Sequence, residues 1–368
     1  MDAVRVGALG PLSPPGVVWG GRELEDGLRL GVERVNAESA GRGGRSIELA
    51  FRDTGGIPEA GVAAATELIR EGAVALVGEY HSVVAEAVAR QADALRVPFL
   101  CASATLDAIT ARRSPWVFRL APPQSYGWAV YADFLHGRGF QEVVAIVRPD
   151  LYWSGGAAVL ERRLGQLGVG FVRLEFGDSV LEVVSRLESM AAGGRRLVVL
   201  LLVGYPQPTG AIVAALHERG LFPGRVALGH PAGPCAFPDW WEVAGPQGVD
   251  VSFLCYLDPG SLPEAGRVFA RSFNQRYGRE PTFVAFEGFD SALAVGQAVA
   301  AAGSATPVSI RASLAQVEFQ GTRGNVRFST EPDGVVHQQW RWPPVCVVSH
   351  PHAHASPSQV DVLWRASD

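Results

Sequence analysis

Short apolar runs alternate with segments whose apolar residues recur every three to four positions. Val4 to Leu9 predicts a strand, and a Pro- and Gly-rich loop follows it. The next helix is predicted over Glu23 to Asn36, where Leu24, Leu28, Val32 and Val35 fall at i, i+4, i+8 and i+11 on one face. Ser46 to Phe51 predicts a second strand. Pro58 and Gly72 bracket a second helix, with proline in its first turn and glycine just past its end. Ala73 to Val77 is a third strand. Ser82 opens a helix with Val84, Val88, Ala92 and Leu95 inside, and Val97 to Cys101 is a fourth strand. This β-α-β-α-β-α-β order predicts an α/β fold with a parallel, doubly wound sheet.

The rhythm pauses at an extended stretch, Val117 to Pro123, and restarts. Strands are predicted at Val143 to Val147, Val169 to Phe176, Leu197 to Val203 and Arg225 to Gly229. Helices are predicted at Gly155 to Leu167, Val180 to Ala192 and Thr209 to Arg219. A second extended stretch, Val251 to Leu257, leads to helices at Glu264 to Tyr277 and Phe283 to Ala302. From Gly321 onward short strands and turns are expected. The chain therefore reads as two α/β units in tandem.

Composition narrows the function. Of 368 residues, Lys and Arg together number 32, and all of them are arginine. This fits a GC-rich coding bias, as do the mere three asparagines, Asn36, Asn274 and Asn325. Without lysine there is no phosphate-binding loop of the G-x-x-x-x-G-K kind, no Schiff-base lysine and no kinase lysine. A net charge of −5 argues against nucleic acid as a partner. The longest apolar run, Leu197 to Val203, is far short of the roughly 18 residues that cross a bilayer. Val4 to Leu9 is too short and too early for a signal-peptide core, so no export signal is visible.

Cys101, Cys235, Cys255 and Cys346 are far apart and show no C-x-x-C, leaving one or two disulfides open if the protein is exported. His350, His352 and His354 alternate, but the surrounding proline and alanine suggest an exposed loop rather than a metal site. No metal and no cofactor is expected.

In an open parallel sheet, ligands bind beyond the carboxyl ends of the strands. Two such ends carry hydroxyl groups. The third strand runs into Gly78-Glu79-Tyr80-His81-Ser82, with Ser82 expected as the helix N-cap. The fourth runs into Cys101-Ala102-Ser103-Ala104-Thr105, with Thr105 expected to open a short helix. A helix N-terminus with a capping hydroxyl attracts a carboxylate. An enzyme is the weaker reading, because no serine lies in a G-x-S-x-G elbow and His81 and Ser82 diverge as chain neighbours.

The ordered set of short motifs resembles the type I periplasmic solute-binding proteins of the branched-chain amino acid and amide ABC-transporter family. It comprises Gly10-Pro11, Trp19-Gly20, Val35-Asn36-Ala37, Arg52-Asp53-Thr54 with Pro58, Leu76-Val77-Gly78, Ser82, Val97-Pro98 and Ala104-Thr105. Val117-Phe118-Arg119, Gly204-Tyr205 and Gly288-Phe289-Asp290-Ser291-Ala292 continue it. The resemblance implies two lobes, each a doubly wound mainly parallel sheet, joined by three hinge crossovers, with ligand closing the cleft between them. The expected division is 1–119 plus 255–327 and 120–254 plus 328–368, hinging near Leu120, Leu254 and Arg327.

On this resemblance Ser82, Ser103 and Thr105 would hold a ligand carboxylate, and Trp19, Tyr80, His81, Trp153, Tyr205 and His230 would line the cleft. Trp128, Trp240 and Trp241 are further candidate walls. The amino-acid binders of the family also place an acid in the second lobe for the ligand's ammonium. Here that loop reads Gly229-His230-Pro231-Ala232-Gly233, without a carboxylate. Glu79 is the possible substitute, expected to face solvent. An ammonium buried without a counter-charge costs several kcal/mol. The expected ligand is therefore a hydrophobic monocarboxylate, aromatic or aliphatic. The chain would be the extracytoplasmic, monomeric component of an ABC importer, with a membrane permease as partner and its signal peptide or lipid anchor upstream. The alternatives are a branched-chain amino acid or amide binder, or a cytoplasmic ligand sensor of the same fold.

Overall fold

The computed structural model describes residues 3–41, 44–192, 196–331, 335–341 and 343–366. In chain order the elements begin β1 (Val4–Gly10), α1 (Val18–Ala40), β2 (Ile47–Asp53), α2 (Pro58–Arg70) and β3 (Ala75–Gly78). Next come α3 (Ser82–Leu95), β4 (Phe99–Cys101), α4 (Ala108–Ala111), β5 (Val117–Arg119) and α5 (Gln124–Gly137). They continue with β6 (Glu142–Val147), α6 (Leu151–Gln166), β7 (Gly170–Glu175), α7 (Val180–Met190) and β8 (Leu197–Leu202). Then follow α8 (Thr209–Glu218), β9 (Val226–His230), α9 (Trp240–Ala244), β10 (Ser252–Cys255) and α10 (Glu264–Tyr277). The last are α11 (Phe283–Ala301), α12 (Pro307–Leu314), β11 (Glu318–Gln320), β12 (Asn325–Arg327), β13 (Cys346–Ser349) and β14 (Asp361–Arg365).

The chain folds into two compact units and passes between them three times. Unit 1 is Met1–Pro123 with Ser261–Pro344, and unit 2 is Gln124–Gly260 with Val345–Asp368. Residues 328–344, expected in the second lobe, thus belong to unit 1. The cause is local pairing. Phe328 bridges Trp340 and Arg119 bridges Gln339. The Gln338 amide also donates to the carbonyls of Ser114 and Val117, at 3.1 and 2.9 Å.

Unit 1 carries a parallel sheet in the order β2-β1-β3-β4-β5. Strands β3, β4 and β5 are buried throughout, which explains their nearly continuous apolar character. Helix α11 crosses α1 so closely that side chains would collide: a Cβ on Gly27 would lie 2.1 Å from the Ala285 carbonyl, and one on Gly288 2.5 Å from that of Leu24. Helix α11 is long and apolar enough to cross a membrane by length and composition. Its apolar window is 83% buried inside the protein, so it serves as a core helix.

Helix α1 starts five residues before the predicted Glu23, because Trp19-Gly20-Gly21 belongs to it. Those glycines answer to packing. A Cβ on Gly21 would sit 1.9 Å from the Pro11 carbonyl, and one on Gly20 would meet the Tyr80 ring at 2.8 Å.

Unit 2 has the order β14-β13-β10-β9-β8-β6-β7, parallel from β10 to β7, with β13 and β14 added antiparallel. Helix α5 was not predicted. Gln124, Gly127, Trp128, Val130, Tyr131, Ala132, Phe134 and Leu135 are buried, and the opposite face, Ser125, Tyr126, Ala129, Asp133 and His136, mixes polar with apolar residues, so the period is faint. No disulfide joins the four buried cysteines, although Cys255 and Cys346 are register partners on β10 and β13. The three histidines part company. His350 is buried, its Nε2 2.8 Å from the Cys235 carbonyl, while His352 and His354 are exposed. Among the described residues no group of three or more potential metal ligands occurs.

Candidate functional site

A doubly wound sheet has one switch point, where successive connections turn to opposite sides, and the loops there diverge and leave a crevice. In unit 1 the reversal lies between β1 and β3. Their carboxyl ends are in register, Leu9 opposite Gly78, so the loops that follow are neighbours. The Val17 amide donates to His81 Nε2 at 2.9 Å, joining the two loops. That bond requires an unprotonated ring nitrogen, and burial pushes the His81 pKa down to about 4.

Ser82, Ser103 and Thr105 meet at this edge, though not through the geometry expected. Ser82 is the first residue of α3 rather than its N-cap; His81 holds that place and makes no side-chain cap bond. Thr105 does not open a helix, since α4 begins at Ala108. Instead the Ser82 hydroxyl binds the second loop to the first. Its Oγ accepts the amides of Thr105, at 3.1 Å, and Leu106, at 3.3 Å. Both lone pairs are then engaged, so the hydroxyl's remaining capacity is to donate its own hydrogen. The amides of Ser103 and Ala104 go to the Glu79 carbonyl. The Ser103 hydroxyl is buried without a hydrogen-bond partner. It lies near the Glu287 carboxyl and favours the charged form of that group.

Glu79 does not face solvent. It is wholly buried, and its carboxylate accepts the Tyr80 amide, the His81 amide and the Thr54 hydroxyl at 2.8, 2.9 and 2.8 Å. Burial raises its pKa to about 7 against the pull of those donors. Its oxygens serve the loop, which removes it as a partner for an external ammonium.

Trp19, in the first turn of α1, lies under two guanidinium groups, Arg22 at 5.5 Å and Arg279 at 5.4 Å from its ring centre. Arg279 also pairs with Glu23 and Asp26. Glu23, fully buried, accepts the Thr282 amide and hydroxyl, and burial raises its pKa to about 7. Trp19 is therefore a cation-covered surface, not a bare apolar wall. Tyr80 packs over Gly20 and sets its ring edge-on to His81 at 5.5 Å.

In unit 2 the reversal lies between β6 and β8. Asp150, after β6, caps α6 by accepting the Trp153 amide at 2.9 Å, which fixes Trp153 in the first turn. Tyr205 follows β8 and His230 ends β9. Trp153 stands edge-on to His230 at 5.6 Å and packs with Trp128 and Tyr152. Trp128 is wholly buried, wedged against Gly156, whose Cβ would lie 2.1 Å from the indole. His230 is also fully buried. Neither of its ring nitrogens has a side-chain hydrogen-bond partner, and burial pushes its pKa down to about 4, so it is neutral at physiological pH.

Two charged groups escaped the sequence reading. Tyr205 donates its hydroxyl to Asp239, a half-buried acid whose pKa burial raises. Unit 2 therefore does hold a carboxylate near the predicted aromatic wall, 34 residues along the chain from Tyr205. Arg119, named only as part of a motif, is completely buried directly behind Thr105 and Leu106. The grooves of about 450 Å³ in unit 1 and 510 Å³ in unit 2 include none of the predicted site residues.

Comparison with known proteins finds the same fold and the family. A family profile described as "Periplasmic binding protein" matches residues 3–342. A Leu/Ile/Val-binding protein homolog of Brucella melitensis is 26% identical over 267 residues, 71% of this chain and 70% of its own. The branched-chain amino acid substrate-binding protein of Streptococcus pneumoniae, solved with isoleucine, superposes with a TM-score of 0.82 at 17% identity, covering 99% of both chains. A solute-binding protein from R. palustris, solved with benzoate, superposes with a TM-score of 0.80 at 20% identity, covering 99% of this chain and 96% of its own.

Proposed function

The chain belongs to the periplasmic binding protein family, and from that premise we propose that it is the extracytoplasmic solute-binding component of an ABC importer whose ligand is a small hydrophobic carboxylate, aromatic or aliphatic. The observation that carries this reading is the Ser82 hydroxyl. With two amides on its lone pairs it can offer a ligand only a hydrogen, and a carboxylate oxygen is the natural acceptor. Thr105 follows beside it on the polar edge, its amide held by the Ser82 hydroxyl, whereas the Ser103 hydroxyl is turned to Glu287. Each unit also offers aromatic side chains past its strand ends, Tyr80 in unit 1 and Trp153 and Tyr205 in unit 2, chemistry suited to an apolar ligand body. His230 stands where an ammonium-binding acid was sought. A neutral imidazole offers no counter-charge, which favours acids without an α-amine.

A second reading, a branched-chain amino acid binder, draws on Asp239. Its carboxylate accepts the Tyr205 hydroxyl and keeps further acceptor capacity for an ammonium. Isothermal titration of benzoate and straight-chain fatty acids beside leucine and valine separates the two. The carboxylate reading expects the acids to bind and the amino acids to fail; tight leucine binding sinks it. We further propose a monomer that delivers its ligand to a membrane permease. Cell fractionation tests the location: a cytoplasmic pool would favour a ligand sensor of the same fold.

A further inference from the structure

We propose that Arg119 is the charge behind the Ser82 hydroxyl, a positioning residue that makes the unit 1 edge select an anion over a neutral isostere. The inference rests on the reading of Ser82 as the ligand donor, and it names the group that gives that donor its preference.

Arg119 closes β5 and has no solvent exposure. All five of its N–H groups find neutral acceptors. Nε and Nη2 both donate to Gln339 Oε1, at 2.9 and 2.6 Å. Nη1 donates to the carbonyls of Thr105 and Leu106, at 3.1 and 2.7 Å, and Nη2 also reaches the Thr110 hydroxyl at 3.0 Å. Among the described residues no carboxylate lies within ion-pair distance of it; Asp107 acts on it through space. A buried cation without a paired acid is costly, and folds seldom keep one without use for it.

The partner at Gln339 sharpens this. Its carbonyl oxygen takes two bonds from the guanidinium, while its Nε2 is buried with no hydrogen-bond partner. A glutamate there would keep both bonds, abolish the stranded N–H groups and neutralise the charge. Glutamine is thus the poorer choice for stability and the one that preserves the field.

That field has a short path to the ligand edge. The Thr105 carbonyl receives the Arg119 proton. The other end of the same planar peptide, the Leu106 amide, donates to Ser82 Oγ. A cation on the carbonyl polarises the amide into a stronger donor, which in turn makes the Ser82 hydroxyl a stronger donor outward. The chain runs guanidinium, peptide, hydroxyl, ligand oxygen, and it lies wholly within unit 1. It favours an acceptor that carries negative charge and is nearly indifferent to an uncharged amide of the same shape.

The test is titration of benzoate and of benzamide against the full chain and the isosteric variant Gln339→Glu. The expected result is benzoate bound about tenfold more weakly, benzamide changed less than threefold, and heat stability equal or higher. In a Ser82→Ala background the same substitution should change benzoate affinity less than threefold, because the relay is already cut. Thr110→Asp brings a carboxylate to the guanidinium from an independent position and should repeat the affinity pattern, with some loss of heat stability because the Thr110 donor to the Val335 carbonyl is removed. Benzoate affinity unchanged in Gln339→Glu overturns the proposal. So does equal weakening of benzoate and benzamide with lowered heat stability, the mark of a merely structural role. A wild type that binds no carboxylate overturns the site reading as well, and is told apart because the unmodified protein is then silent.

Discussion

The two units repeat one topology and furnish it oppositely. Each places its candidate residues at or next to the switch point of a parallel sheet, past β1, β3 and β4 in unit 1 and past β6, β8 and β9 in unit 2. Unit 1 surrounds that point with hydrogen-bonded charge: Glu79 on three donors, Arg119 on neutral oxygens, and Arg323 with Glu287 and Asp290 inside the core. Unit 2 surrounds it with aromatic rings, Trp128, Tyr152, Trp153 and a neutral His230. The fold dictates where loops diverge and leaves their chemistry open. A hydrogen-bonded, charged edge resists rearrangement because each buried charge needs its donors or acceptors, whereas a ring-lined edge rests on packing.

The contrast can be broken most severely in unit 2. Trp128→Ala removes a wholly buried indole and leaves a void beside Gly156 that α5 and α6 cannot close. A loss of about 3–5 kcal/mol is expected, read from denaturant unfolding. A change under 1 kcal/mol would deny the ring cluster its structural role.

Next in size is an opposition in pH dependence. Glu79 has a folded pKa of about 7, above the 4.5 of the free group. The folded state holds that proton more tightly, so its stabilisation is full below pH 4.5 and is lost as pH rises through 7. His230 is displaced the other way, from 6.5 to about 4. Its stabilisation is full above pH 6.5 and is lost as pH falls through 4. Each displacement amounts to about 3 kcal/mol across its window. Glu79→Gln should therefore flatten the decline in melting temperature between pH 4.5 and 7, and His230→Asn the decline between 6.5 and 4. Identical pH profiles in the two variants would erase the distinction.

Smaller effects concern binding. Ser82→Ala combined with Thr105→Val should weaken carboxylate binding at least tenfold, about 1.4 kcal/mol, without unfolding the protein. Unchanged affinity in titration would remove both residues from the site. Tyr205→Phe should move acid affinity less than threefold, since it alters unit 2 and leaves the Ser82 donor intact. A gain in leucine binding would instead show that freeing Asp239 equips unit 2 for an ammonium.

What could be read from the chain follows from the range of each interaction. Strands β3 and β8 were legible because full burial writes a continuous apolar run, and α2 because proline and glycine mark its ends. Helix α5 was not, since Tyr126 and Ala129 on its outer face blur the period. Gly20 and Gly21 read as loop although they serve close packing within α1. Ser82 and Thr105 could be picked out as hydroxyls past strand ends, but a bond from the Thr105 amide to Ser82 Oγ spans 23 residues and is invisible to local pattern. The same holds for Tyr205 with Asp239, and above all for Arg119 with Gln339, 220 residues apart. Charged groups that fold together from distant positions leave no periodic trace.

The glycine-lined crossing of α1 and α11 also bears on how the chain comes into being. Helix α1 ends at Ala40 and its partner begins at Phe283, so the N-terminal segment emerges from the ribosome long before its core exists. At roughly 5–20 residues per second that interval lasts some tens of seconds, during which α1 has β1 and β2 beside it but lacks its main packing partner. Unit 2 has most of its sequence, from Gln124 to Gly260, in one uninterrupted stretch. The order of synthesis therefore delays completion of unit 1, leaving a long window in which a chaperone can engage an unfinished chain.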